Sequence, residues 1–354
     1  MKMKVKEYGY SPFTSRVKNC DVRIFKGSLH YEGEPKEEED EIGGLPLLPC
    51  INDEEWGHAK GHFIFTMEEW PMPNRLELRY MTRDDGHCYE IDTPLDAEQA
   101  SELWDAQLEK FPQDSFQDYV VGTGPYGFIA IWLRGESRSI LLHRFQAEEA
   151  ELNIAEDHFY GWMKKENFSL PVSREEMEFI MRQYSYRYVT LEEHWDTQKF
   201  KWVEYDDDDP YYDELYVDSV EDYRSDGTYN YVIGDESQQD YHEAGMPERI
   251  TVRWHAGRDE FLAHFWLIKE LFAKKFTEFF DAHPGKRVDI LLRIDSREQV
   301  YVMVFRAEGE KEYTILPWYF FKLIVFKDGV EHFKSRNYDL EKGQWSWLWR
   351  KKES

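Results

Sequence analysis

The sequence predicts an α+β protein of two related domains, each a mainly antiparallel β-sheet with a helix packed on one face. Three observations lead there: a strand-forming segment that occurs twice, helical periodicity at matching places after both copies, and a composition of 41% hydrophobic and 17% aromatic residues. Chains that stay disordered lack such residues. Met72-Pro73-Asn74-Arg75-Leu76-Glu77-Leu78-Arg79-Tyr80 returns as Met246-Pro247-Glu248-Arg249-Ile250-Thr251-Val252-Arg253-Trp254, 174 residues later. Both copies alternate apolar and polar residues after the proline, the period-2 pattern of a half-buried strand.

The same offset orders the following elements. Asp84-Asp85-Gly86 is a hairpin signal leading to a strand over 88–91; its counterpart is Arg258-Asp259-Glu260, followed by apolar Phe261, Leu262 and Phe265. A helix is predicted over 95–111. Thr93 can cap it, Pro94 suits the first helical position and Asp96 favours the positive end. Leu95, Leu103, Trp104 and Leu108 can share one buried face. A second helix is expected over 268–280. Gly122-Thr123-Gly124-Pro125-Tyr126-Gly127 has the spacing of a dinucleotide-binding loop. Such a loop needs a helix after it, whose free amides hold the pyrophosphate. Residues 128–133 read instead as a strand and Pro125 removes an amide, so a glycine-rich turn entering a strand is predicted. Residues 302–307 fall opposite that strand, and Gly309-Glu310 opposite Gly135-Glu136. Ser173-Arg174-Glu175-Glu176 is a capping box opening a helix to Tyr184 or beyond. Further strands are expected after 203–205 and Val217, with a final one over 345–349. The predicted organisation is a first unit over 1–152, a helical connector over 153–195 and a second, diverged unit over 196–354. A period this long indicates a duplicated domain rather than a solenoid, whose repeats run about 20–50 residues.

A formal net charge of −27 at pH 7 repels phosphate backbones and anionic lipid, so neither nucleic acid nor membrane is an expected partner. The same field attracts basic proteins. No stretch approaches the roughly 18 apolar residues of a spanning helix. Met1-Lys2-Met3-Lys4-Val5-Lys6 runs into polar residues without a secretory signal's apolar core, and Cys20 follows Val17-Lys18-Asn19 rather than small apolar residues. A cytoplasmic chain is expected. Cys20, Cys50 and Cys88 are odd in number and widely spaced, which predicts buried free thiols rather than a disulfide framework or a zinc site.

His58 and His62 stand at metal-binding helical spacing near Asp53, Glu54 and Glu55, but Gly57 and Gly61 weaken a helix there. Neither metal nor cofactor is predicted. Two acidic runs stand out: Asp206, Asp207, Asp208 and Asp209, followed by Tyr211, Tyr212, Asp213 and Glu214; and Glu37, Glu38 and Glu39 with Asp40 and Glu41. Neither has the alternate spacing and glycine of a calcium loop. They read either as solvated loops or, laced with Tyr, as a contact surface for a basic protein, because Tyr supplies contact area at small entropic cost. These residues are the candidate partner-binding site. Carboxylate pairs beside aromatics, as glycoside hydrolysis requires, arise here from composition alone. No nucleophile elbow or Cys–His pairing can be named from spacing, so a non-enzymatic protein is predicted.

Met72-Pro73 leading into an aromatic-ended strand, Gly122-x-Gly124-Pro125-x-Gly127 feeding a strand that ends Ile131-Trp132-Leu133, and Phe145-Gln146-Ala147 closing the unit together resemble the bacterial family called domain of unknown function 2931. The resemblance covers roughly residues 20–150. The second copy has 295–300 and Phe305-Arg306 in place of the glycine turn and the Trp-Leu ending. Many members of that family look like exported lipoproteins, and this chain departs from them in its N-terminal residues. The resemblance carries no catalytic residues. For some members it implies a place beside secreted antibacterial effectors as immunity proteins. The expectation is an immunity protein that neutralises a toxin, such as a type VI secretion effector, by direct binding through acidic, Tyr-rich surfaces. Alternatives are a carbohydrate- or envelope-directed enzyme and a two-domain adaptor.

Overall fold

The computed structural model describes residues 6–17, 20–32, 44–47, 56–57, 69–82, 85–113, 115–152, 172–189, 215–233, 241–256, 259–295, 300–310, 314–316, 320–334, 338–339 and 344–345. The chain divides into two compact units: Met1–Arg182 with Asp226–Thr228, and Gln183–Ser225 with Tyr229–Ser354.

In the first unit β1 (Glu7–Gly9) pairs with β5 (Glu69–Pro71). A four-stranded sheet has β2 (Ser11–Arg16), β8 (Asp118–Thr123), β9 (Phe128–Arg134) and β10 (Ser139–Gln146) in the order β10-β9-β8-β2. A five-stranded sheet joins β3 (Val22–Tyr31), β4 (Leu45–Pro46), β6 (Pro73–Thr82), β7 (Cys88–Pro94) and β11 (Glu148–Ala150) in the order β11-β7-β6-β3-β4. β2 runs parallel to β8; the other neighbours are antiparallel. The α+β class holds, but with two larger sheets in the unit beside the β1-β5 pair, and a parallel pair within one of them.

The repeated strand is β6, whose Leu76, Leu78 and Tyr80 alternate into the core as expected. β9 does not alternate in burial, because Ile129 through Leu133 are all buried. Ile129, Ile131 and Leu133 share a cluster with Leu76, Leu78 and Trp104. Ala130 and Trp132 join Phe13, Val120, Met177 and Met181 in another. A sheet covered on both faces needs apolar residues at every position, which explains the unbroken run Ile129-Ala130-Ile131-Trp132-Leu133.

Helix α1 (Ala97–Lys110) starts later than expected. Thr93 and Pro94 still pair with Leu76 and Arg75 as the end of β7. The cap is Asp96, which accepts from the Gln99 amide at 2.9 Å. Ser173 caps α2 (Arg174–Met181), accepting from the Glu176 amide at 3.1 Å. The helix stops short of Tyr184, because Tyr184-Ser185-Tyr186-Arg187-Tyr188-Val189 alternates at period 2 and forms a strand.

That strand is β12 (Tyr184–Val189) of the second unit. With β15 (His242–Ala244), β18 (Val288–Asp295), β19 (Val300–Ala307) and β20 (Thr314–Leu316) it forms a sheet in the order β15-β12-β18-β19-β20. The other sheet takes β13 (Leu215–Arg224), β14 (Tyr229–Ile233), β16 (Pro247–Ala256), β17 (Asp259–Leu267), β21 (Phe321–Lys327) and β22 (Val330–Lys334) in the order β14-β13-β16-β17-β21-β22. β23 (Tyr338–Asp339) pairs with β24 (Gln344–Trp345), so only the first residue of the expected 345–349 strand is described. β12 runs parallel to β18. On helix α3 (Lys269–Ala282), Phe276 meets Tyr184, Tyr186 and Phe305 ring to ring. In each unit a strand parallel to its neighbour opens a run of three strands, β2-β8-β9-β10 in one and β12-β18-β19-β20 in the other. The larger sheets match likewise, β4-β3-β6-β7-β11 against β14-β13-β16-β17-β21.

Cys20 and Cys88 are buried free thiols; Cys50 lies outside the described residues. Among the described residues no helix is long and apolar enough to cross a membrane.

Candidate functional site

Asp206, Asp207, Asp208, Asp209, Tyr211, Tyr212, Asp213 and Glu214 lie outside the described residues, as do Glu37, Glu38 and Glu39, and also His58 and His62. The described residues gather polar chemistry in three other places.

The first is the glycine turn. Gly122 lies under the Trp132 indole, where an added Cβ would stand 2.5 Å from a ring carbon. After Gly124 the chain makes a single 3-10 turn, Pro125–Gly127, and enters β9 as expected. Tyr126 takes φ 61° and Gly127 φ 79°, the left-handed region that costs a side-chain-bearing residue strain. Hydrogen bonds hold that conformation. Asp85 Oδ2 accepts from the Tyr126 amide at 2.5 Å and from the Tyr89 hydroxyl at 2.6 Å. Its Oδ1 accepts from the Thr82 hydroxyl and, at 3.1 Å, from the His87 amide. The Gln146 side-chain amide donates to the Tyr126 carbonyl, the Ala147 amide to the Gly127 carbonyl at 2.8 Å, and the Tyr80 hydroxyl to the Gly124 carbonyl at 3.1 Å. Tyr80, the glycine turn and Gln146-Ala147 therefore meet in one hydrogen-bonded assembly. The family model described as protein of unknown function (DUF2931) matches residues 6–189, slightly over half the chain. The chain belongs to this family. No curated protein and no solved structure matches it. The DUF2931 match takes in the first unit from β1 through α2 and ends with β12.

The second place is buried in the second unit. Asp222, 1% exposed, accepts from Arg224 Nε at 2.5 Å and Nη2 at 3.1 Å, and from the Tyr188 hydroxyl at 3.1 Å. Arg224 Nη2 also lies 3.0 Å from His242 Nε2. Burial pushes the Tyr188 phenol well up, so it stays a neutral donor. A buried carboxylate and guanidinium matched fork to fork answer each other's desolvation.

The third is a row of three neighbours across β12, β18 and β19: Arg187, Asp289 and Arg306. Asp289 Oδ1 accepts from Arg187 Nε and from the Tyr241 hydroxyl, each at 2.7 Å; Oδ2 accepts from Arg306 Nη2 at 2.8 Å. Burial alone would raise the Asp289 carboxyl, but these donors hold it below the usual carboxylate range. The guanidinium carbons of Arg187 and Arg287 stand 4.6 and 4.5 Å from the Tyr241 ring centre, and Arg287 Nε donates to Glu308 at 2.8 Å. The first unit has the same row as Ser11, Asp118 and Arg134 across β2, β8 and β9. There burial dominates: Arg134 Nη1 is 3.5 Å away, and the Asp118 carboxyl is pushed up to about 6.

Sequence reading singled out Asp85 only as a turn residue, and Asp222, Asp289, Arg187 and Tyr241 not at all. The fixed offset of 174 could not find the row, because Asp118 and Asp289 stand 171 residues apart and Arg134 and Arg306 stand 172 apart.

Proposed function

We propose that this DUF2931 chain is a non-enzymatic, cytoplasmic binding protein, specifically an immunity protein that neutralises a toxin, such as a type VI secretion effector, by direct contact. The observation that carries the reading is the formal net charge of −27, a field that speeds capture of a basic surface. The Tyr-laced acidic run at 206–214 and the run at 37–39 are the surfaces this reading assigns to the partner. Tyr231, Ile315 and Val330 add support: they are the exposed large apolar side chains among the described residues, and each lies on an edge strand, β14, β20 or β22. Exposed sheet edges are sites where partners add contacts. Asp85, Asp222 and Asp289 are each engaged by several donors, which suits polar networks that brace a fold. Acid–base chemistry on a glycoside needs carboxylates open to a substrate, so the enzyme reading has less behind it.

The two units are read here as copies of one duplicated ancestor. Their matching strand orders support this, as do the paired segments at Met72 and Met246. So do the Tyr10 and Tyr186 hydroxyls, which donate to the carbonyls of Pro71 and Gly245 at 2.9 and 2.8 Å. Duplication also favours a second reading, a two-domain adaptor that bridges two partners.

The test is a tagged full-length chain used to capture partners from the native organism's lysate at low and high salt, with mass spectrometry and stoichiometry. One basic partner bound one-to-one and released by salt is expected. Replacing Asp206, Asp207, Asp208 and Asp209 by Asn should then slow association by about tenfold and flatten its salt dependence. Two different partners on one chain would favour the adaptor; no partner at either salt would overturn both readings.

A further inference from the structure

We propose that the second unit carries an oxyanion-binding site, formed by Arg187, Arg287 and Tyr241 and braced by Arg306 and Asp289, that takes a carboxylate or phosphate group. The site is independent of the acidic partner surface proposed above.

The argument starts from what the fold itself requires. In both units an aspartate on the middle strand of a three-strand row faces an arginine on the next strand, Asp118 with Arg134 and Asp289 with Arg306. The first unit completes that row with Ser11 and places Phe116, 1% exposed, two residues before the aspartate. The second unit has Arg187 and Arg287 at those positions. Two further guanidinium groups are thus present where the equivalent framework stands without them. Each costs side-chain entropy to order.

Their arrangement is that of a braced receptor. Asp289 is 4% exposed and engaged by Arg187, Arg306 and Tyr241, so it orients the Arg187 and Arg306 guanidinium groups while staying inaccessible itself. Partners of this kind preorganise the groups that touch a ligand. Arg187 commits Nε to this carboxylate, yet its side chain remains 32% exposed. Arg287, 51% exposed, gives its Nε and Nη2 to Glu308 and lies over the same Tyr241 ring as Arg187. Among the described residues this arrangement sets three arginines against Asp289 and Glu308, within a chain of charge −27.

The chain's long-range field opposes anions, so binding here must come from short, directional N–H···O bonds. Guanidinium groups make those with carboxylate and phosphate, whose oxygens match their fork, and not with a spherical halide of equal charge. The site therefore discriminates by shape as well as by charge.

The test records the arginine Nε–H resonances of the full-length chain while inorganic phosphate, acetate or chloride is added at matched ionic strength. Saturable shifts at Arg187 and Arg287 with phosphate or acetate, but not chloride, are expected, and the oxyanion that binds more tightly identifies the source. Arg187→Ser, which copies the first unit's Ser11, should weaken binding by about tenfold or more. So should Arg287→Gln, a change at a half-exposed side chain that keeps the test open if the first variant fails to fold. An absence of saturable shifts, an equal response to chloride, or unchanged affinity in the folded variants would overturn the site.

Discussion

Asp118 and Asp289 show how one residue type in one kind of setting takes opposite electrostatic roles. Burial raises the Asp118 carboxyl from 3.8 to about 6, because Arg134 reaches it only at 3.5 Å. A carboxyl raised in the folded state costs stability wherever both states are ionised. The cost is full above about pH 6 and is relieved as pH falls toward 3.8. Asp118→Asn should therefore stabilise the protein by about 1–2 kcal/mol at pH 8, with the gain fading toward pH 4. Asp289 is buried too, yet its donors hold its carboxyl below the usual range. Its contribution is present above the unfolded value and is lost as pH falls through the lowered one. Asp289→Asn should destabilise at pH 8, with the difference shrinking in acid. Urea midpoints for both variants across this range would check the two signs.

The elements show where local rules compete. Thr93, Pro94 and Asp96 all suit a helix start, but β6 claims Thr93 and Pro94 as strand partners through Leu76 and Arg75. Asp96 is left as the residue whose side chain meets a free helical amide. Asp96→Ala should cost about 1 kcal/mol, whereas Thr93→Ala should lose no cap and change stability little; thermal melts of the pair would separate them. The glycine turn is a second case. Its spacing matches a phosphate loop, but Gly122 is small because Trp132 lies over it, and Gly127 because the chain turns back with positive φ under the Ala147 carbonyl. Both glycines serve backbone packing, and the strand after them was legible in advance from Phe128-Ile129-Ala130-Ile131-Trp132-Leu133.

At the scale of the whole molecule, the parallel between the units reaches single hydroxyls. Tyr10 and Tyr186 each donate to the carbonyl just before a buried methionine, Met72 or Met246, at the start of the repeated strand. If the units share one architecture by descent, Tyr10→Phe and Tyr186→Phe should each cost about 1 kcal/mol, the net worth of a buried hydrogen bond. Chemical denaturation of both variants gives the comparison, and a loss confined to one would count against equivalence. The charge of −27 also acts at this scale, through a field that single contacts do not reveal.

From the sequence came the α+β class, the repeated strand, both hairpins, the glycine turn and the Ser173 helix cap. Each of these depends on residues within a few positions of one another, so periodicity and turn chemistry suffice to read it. Tertiary structure alone decided that each unit holds two larger sheets, that β2 lies parallel to β8 and β12 to β18, and that β9 is covered on both faces. It also decided which charges meet. Arg187 reaches Asp289 across 102 positions and Tyr80 reaches Gly124 across 44. Such pairs leave no local pattern, because the chain brings them together only when strands distant in sequence take neighbouring places in a sheet.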